Sequence, residues 1–217
     1  MTVDFDRINA LANYLPIEDK DKWKVEAFKE ELAFLEIPGS IEIASWLISK
    51  LPDYFFHVAA SSTGKYHPSY TNGDGGLLRH TKAAVRIAIE LLRIEMYSYL
   101  KPLHDYILIA LMVHDGWKHG PQTEDGSYRE FTDQSHARIC YEWLVKDCVE
   151  QKPELQAEFL EIANLVLTHM GQWNVNGHTG EVFAPKPATQ QQCFVHLCDY
   201  LASRKCLELN FNVDFGR

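Results

Sequence analysis

Histidine and aspartate residues recur along this chain at the borders of apolar segments: His80, the adjacent pair His114-Asp115, His136, His169 and Asp199. Taken singly, a histidine in such a setting is more often packed or solvated than functional. As an ordered set at the ends of successive apolar helices, one bundle can bring all of them together. Imidazoles mixed with carboxylates form the donor set for divalent transition ions such as manganese, iron, cobalt, nickel or zinc, whereas calcium would call for oxygen donors alone. Asp115 carries particular weight. It closes the apolar run LHDYILIALMV, where a carboxylate is costly unless it is paired or metal-bound.

The elements that must position these residues read as helices. Apolar residues recur mostly at helical spacing, and no run alternates convincingly as a strand would. The pattern predicts an all-α bundle in one domain spanning 1–217, with N-terminal helices within 1–52 and the main body over about 66–206. Helices are expected over roughly 4–14 and 18–36, a break at Pro38-Gly39, and a helix over 40–51. The Ser, Gly and Pro-rich stretch 57–76 is too long for an idle connection and reads as a loop serving a site. Beyond it, LLRHTKAAVRIAIELLRIEMYSYL keeps one broad apolar face, and 103–113 is apolar nearly all round, as in the centre of a bundle. Thr132 or Asp133 is a candidate N-cap for a helix carrying His136 through about Val149. Another helix runs from near Pro153 to His169, and Thr189 caps a last one extending to about Asn210.

In order and context these motifs resemble the HD superfamily of metal-dependent phosphohydrolases: a lone His in GGLLRHT, the His-Asp pair in LMVHDGWK, and a distant Asp in HLCDYLASRK. Two further histidines between the pair and the last Asp, His136 and His169, match the two-metal branch. HPSY, THMG and PATQQQCFVHLCDYLASRK are similar to the part of that branch that includes bacterial exoribonucleases of the YhaM type. The sequence departs from it by inserting TNGD before the glycine pair and by lacking a recognisable N-terminal nucleic-acid-binding barrel. The resemblance implies an HD helical bundle holding two divalent transition-metal ions. One would sit on His80, His114, Asp115 and Asp199, the other on Asp115, His136 and His169, with Asp115 as the bridge. Such a pair yields a hydroxide at neutral pH and neutralises attacking and leaving oxygens in phosphoryl displacement.

The resemblance further implies that Lys118, at the HDxxK spacing, contacts a substrate phosphate, where a compact cation would stabilise developing charge. Arg204 and Lys205 are further candidates for that task. Ser62, Lys65 and His67 in the long loop could meet a phosphate or base, and His67 matches a polar position near the site in the exoribonuclease branch. SSTGK is no P-loop, because Ala59 stands where the first Gly would be and Tyr66 where the Ser or Thr would be. Gly75-Gly76 permit a tight turn and could let a phosphate approach the helix start. Trp117, His119 and Trp173 could line a nucleobase pocket, while His57, His104, His178 and His196 read as structural.

The expected activity is hydrolysis of phosphoester bonds in nucleotides or short oligonucleotides. An HD-type di-iron oxygenase and a non-catalytic nucleotide-binding module are the alternatives. A net charge of −9 argues against a long duplex nucleic acid as partner. No apolar run is long enough for a membrane span and the first residues carry no export signal, so a cytoplasmic address is expected, with an oligomer left open. The five cysteines form neither a disulfide framework nor a zinc knuckle, which leaves them as free thiols.

Overall fold

In the computed structural model, which describes residues 17–61, 63–177 and 179–207, the chain is all-helical. Among the described residues there is no strand, only an isolated bridge between Val175 and Val182 in the loop before the last helix. The predicted helix over 4–14 lies outside the described residues.

The predicted helix over 18–36 is split. A 3-10 turn at Asp19–Asp21 leads into α1 (Lys22–Ala27), and Phe28 interrupts the helix before α2 (Lys29–Leu32). Phe28 is wholly buried, with its ring near Phe55 and Phe56, so packing sets its backbone where propensity alone would continue the helix. Helix α3 spans Pro38–Ser49. The proline expected to mark a break sits in the first turn of the helix, where its missing N–H costs nothing.

Helix α3 is also anchored from outside. The Asp105 carboxylate accepts from the backbone N–H groups of Glu36 (3.0 Å) and Ile37 (2.9 Å) just ahead of it. Asp105 belongs to α5 (His104–Val113), in which Ile107 through Val113 are all fully buried. Helix α4 (Gly76–Leu92) packs against α5 and against α9 (Gln190–Ala202), and α5 packs in turn on α8 (Gln156–Leu167) and α3. Between them lie α6 (His136–Glu142), a π-helical turn at Trp143–Cys148, and α7 (Val149–Gln151), which together make up the run predicted to reach Val149. No helix among the described residues is long and apolar enough to cross a membrane.

Two helix starts carry local logic. Gly75 adopts φ +68°, and a Cβ on Gly76 would lie 2.0 Å from the Thr71 carbonyl oxygen, so the glycine pair lets the 57–75 loop lie directly across the start of α4. Leu77 N–H donates to Val58 O and Ala60 N–H to Thr71 O, which closes that loop onto the helix. The space at Gly76 is therefore filled by the chain's own backbone and is not open to a phosphate. At α9, Thr189 is the N-cap as the sequence predicts, in a reciprocal capping box with Gln192. This helix stops at Ala202, short of the predicted end near Asn210, which itself lies outside the described residues.

Candidate metal centre

The six sequence-predicted ligands are delivered by five stretches of the bundle, with His114 and Asp115 sharing one. His80 lies one turn into α4, and His114 and Asp115 follow the last residue of α5. His136 opens α6, His169 follows α8 in its closing turn, and Asp199 is in the last turn of α9. His80, His114, Asp115, His136 and His169 are buried, and Asp199 nearly so. The structure brings all six together.

Asp115 sits at the centre and its two oxygens face different partners. Oδ1 lies 3.1 Å from His136 Nε2 and 3.5 Å from His169 Nε2. Oδ2 lies 3.6 Å from His114 Nε2 and 3.8 Å from His80 Nε2. Asp199 Oδ1 adds contacts of 2.9 Å to His80 Nε2 and 3.5 Å to His114 Nε2. The donor atoms of His80, His114 and Asp199 fall within 4.8 Å of one another, as do those of His114, Asp115 and His169.

Hydrogen bonding on the far side of three of the four rings sets their tautomers, while His80 Nδ1 is buried without a partner. The Nδ1 atoms of His114, His136 and His169 each lie 2.7 Å from the carbonyl oxygen three residues earlier, those of Leu111, Asp133 and Val166. A carbonyl can only accept, so Nδ1 carries the proton and Nε2 of the neutral ring presents a lone pair to the centre. His136 Nε2 and His169 Nε2 are then 3.1 Å apart with a carboxylate oxygen beside them. Asp115 Oδ1 and His114 Nε2 are buried without a hydrogen-bond partner. Acceptors converging in this way repel one another unless a cation sits among them, and buried polar atoms rarely go unsatisfied. The residues present therefore fit a divalent ion.

The electrostatics of the ion-free cluster divide: burial opposes charge on His114, but Asp115 and Asp199 raise its pKa, so that this ring holds a proton where a metal ion would bind, whereas the His169 pKa is lowered. Burial pushes the Asp115 pKa upward, but the Lys118 ammonium, His114 and the imidazoles of His136 and His169 outweigh it and hold the carboxyl well below the usual range. For Asp199 too, burial is overcome by His114 and His80, leaving its carboxyl well below the usual value. Burial lowers the His169 pKa, which keeps that ring neutral and competent to ligate.

The predicted substrate contacts divide. A cleft of about 320 Å³ opens over the cluster and is lined by Lys118, His67 and Arg204, together with Tyr66, Met170, Trp173, Tyr200 and Ser203. Lys118 Nζ lies 2.5 Å from Asp115 Oδ2, and its own carbonyl accepts from Asp133 N–H, which pins the loop. His67 packs edge-on against His80, its Nδ1 is buried without a partner, and burial with the nearby His80 and Lys118 lowers its pKa to about 4. Arg204 lines the cleft, with Nε and Nη2 donating to Ser203 Oγ. Lys65 is exposed outside the cleft, with its ammonium over the Tyr66 ring, and Ser62 lies outside the described residues.

Of the three candidate nucleobase neighbours only Trp173 reaches the cleft. Trp117 turns to a separate hollow beside Trp143, and His119 stacks on Tyr54. The N-cap prediction at Thr132 or Asp133 shifts as well. Ser135 is the cap position, and Asp133, two residues ahead of that cap, accepts from its N–H and hydroxyl. Lys205, offered beside Arg204, is exposed, and its backbone N–H donates to Tyr66 O at 2.7 Å.

His196, a structural residue on the sequence pattern, touches the machinery at one remove. Its Nδ1 donates to the carbonyl of His169 at 2.7 Å, and its ring occupies the space that a Cβ on Gly171 would need, 2.1 Å from His196 Cε1. Gly171 has φ +57°. The signal available in the sequence was THMG itself, a glycine two residues beyond a ligand at a helix end.

Fold and site together define an all-helical protein with buried His/Asp groups able to hold metal. Comparison with protein-family models, with curated proteins and with solved structures finds no match for the chain.

Proposed function

We propose that this chain is a dinuclear metal-dependent phosphohydrolase of the HD superfamily, acting on phosphoester bonds of nucleotides or short oligonucleotides. The observation that carries the reading is the division of four imidazoles between the two oxygens of one buried carboxylate, Asp115, with a lysine on the same carboxylate and a cleft above. His80, His114, Asp115 and Asp199 would hold one ion, and Asp115, His136 and His169 the other. Two divalent ions supply Lewis acidity to a phosphoryl oxygen and make bound water a nucleophile at neutral pH.

The chain's own groups do the rest. Asp115 orients both sets of imidazoles and keeps its negative charge because Lys118 and the rings stabilise it. Lys118 and Arg204 are the Lys and Arg side chains lining the cleft and are placed to offset charge on a phosphoryl group. His67 is neutral at physiological pH and offers its unpartnered Nδ1 as a hydrogen-bonding group at the edge of the cluster.

The test is elemental analysis of purified protein, followed by turnover assays with manganese, cobalt or iron against bis(p-nitrophenyl) phosphate, nucleotides and short RNA. Two equivalents of metal and metal-dependent phosphoester hydrolysis are expected. Absence of phosphoester turnover with every metal would overturn the hydrolase. Oxygen consumption by the iron form in its place would point to the di-iron oxygenase.

A further inference from the structure

The outer half of the cleft has a character of its own. Arg204 has no carboxylate partner among the described residues, and its guanidinium is surrounded instead by aromatic rings. It lies 4.5 Å from the Tyr200 centroid, 5.5 Å from that of Trp173 and 6.0 Å from that of Tyr66. Trp173 is backed by Tyr200, with centroids 5.5 Å apart and planes inclined by 12°, yet remains 46% exposed. A large apolar ring so open at the mouth of a polar cleft has surface to offer a ligand, and an arginine without a counter-ion has charge to offer one. Hydroxyls of Tyr66 and Tyr200 line the cleft, but side chains that set a donor beside an acceptor, as the edge of a base does, are lacking. Met170 is apolar, Ser203 Oγ is taken by Arg204, and no Asn or Gln lines the cleft.

We infer that this outer half is a ring-stacking subsite: a planar heteroaromatic base lies against Trp173 while Arg204 donates to an anionic oxygen of the same molecule. The inference rests on the phosphohydrolase reading of the cleft floor and narrows its substrate class to nucleotides with little preference among bases. Stacking on aromatic side chains is tolerant of base identity, since every base presents a π-face.

Calorimetric titration of the manganese-loaded protein tests it, using non-hydrolysable methylenephosphonate analogues of the four nucleoside 5′-monophosphates and of ribose 5-phosphate. The four nucleoside analogues should bind within about threefold of one another and at least about tenfold more tightly than the ribose analogue, the scale expected of one stacked base. Trp173→Leu should erase that gap while Arg204→Gln weakens nucleoside and ribose analogues alike, both variants retaining wild-type metal content. Equal affinity for the nucleoside and ribose analogues, or a gap that survives Trp173→Leu, would overturn the subsite. A base preference above tenfold would overturn its tolerance, and unchanged affinity in Arg204→Gln would overturn the anion contact. Should the gap persist while metal loading changes no affinity at all, the subsite stands and the metal-dependent reading of the floor falls.

Discussion

Replacing Asp115 with Asn keeps the shape of the side chain and removes the charge that both sets of imidazoles share. Four Nε2 atoms lie within 3.8 Å of its two oxygens, so a single substitution weakens both proposed ion sites at once. Metal binding stabilises the folded chain by about 2.7 kcal/mol per site when the free ion is a hundredfold above its Kd, or about 5 kcal/mol for two sites. In a chain of this size 1 kcal/mol moves the melting temperature by about 2–4 °C, so loading the wild type should raise Tm by about 10–20 °C. His169→Ala, which empties one set, should keep about half of that shift. Asp115→Asn should keep almost none. The amide can still accept from Lys118 but leaves that ammonium without its counter-charge and lowers the metal-free baseline by about 3–5 kcal/mol, so the comparison is the loaded-minus-free difference within each variant. Differential scanning fluorimetry with and without manganese, beside elemental analysis, measures it. An undiminished shift in Asp115→Asn would refute the assignment of this residue as the shared ligand.

Lys118→Ala should leave metal content intact and lower kcat about tenfold or more on phosphoester substrates, read from steady-state kinetics beside elemental analysis. Gly171→Ala should destabilise by about 2–4 kcal/mol, combining a left-handed backbone with displacement of the His196 ring, and should weaken metal binding at the His136 and His169 set. Gly177→Ala, with nothing within 4 Å of its Cβ, should unfold in urea as the parent does. The pKa of Asp105 is lowered: burial opposes ionisation, but bonds from His104, Glu36 N–H and Ile37 N–H outweigh it. A carboxyl depressed in the folded state stabilises above its unfolded value of about 3.9, and that contribution fades as pH falls through the lower folded value. Between pH 5 and pH 2 the urea midpoint should therefore fall less in Asp105→Asn than in the parent.

The features legible in the sequence were those fixed by near neighbours. The all-round apolar run of α5, the Thr189 cap with Gln192 three residues on, and the placing of His80, His114-Asp115, His136, His169 and Asp199 at helix borders all lie within a few residues of what causes them. The helix ends that were missed depend on distant partners. Phe28 breaks the helix because its ring belongs in the core beside Phe55. Helix α9 stops because Arg204 N–H tightens onto Leu201 O, three residues back, and Lys205 N–H leaves for Tyr66. Side-chain direction was likewise hidden. Trp117, His119 and Trp173 all neighbour ligands in sequence, but only the fold decides that one faces the cleft and two face away. His196 was passed over because its partner is a backbone carbonyl 27 residues earlier.

The bond from Lys205 N–H to the Tyr66 carbonyl joins two parts of the chain far apart in sequence, the loop before α4 and the turn after α9. Both segments line the cleft, the loop through Tyr66 and the turn through Arg204, whose guanidinium lies 6.0 Å from the Tyr66 ring centroid. Because the tie runs main chain to main chain, no exchange of rim side chains removes it. This corner of the rim is thus a fixed frame, and the side chains it carries can be rewritten by mutation, one residue at a time, to suit a different ligand without shifting the backbone beneath them.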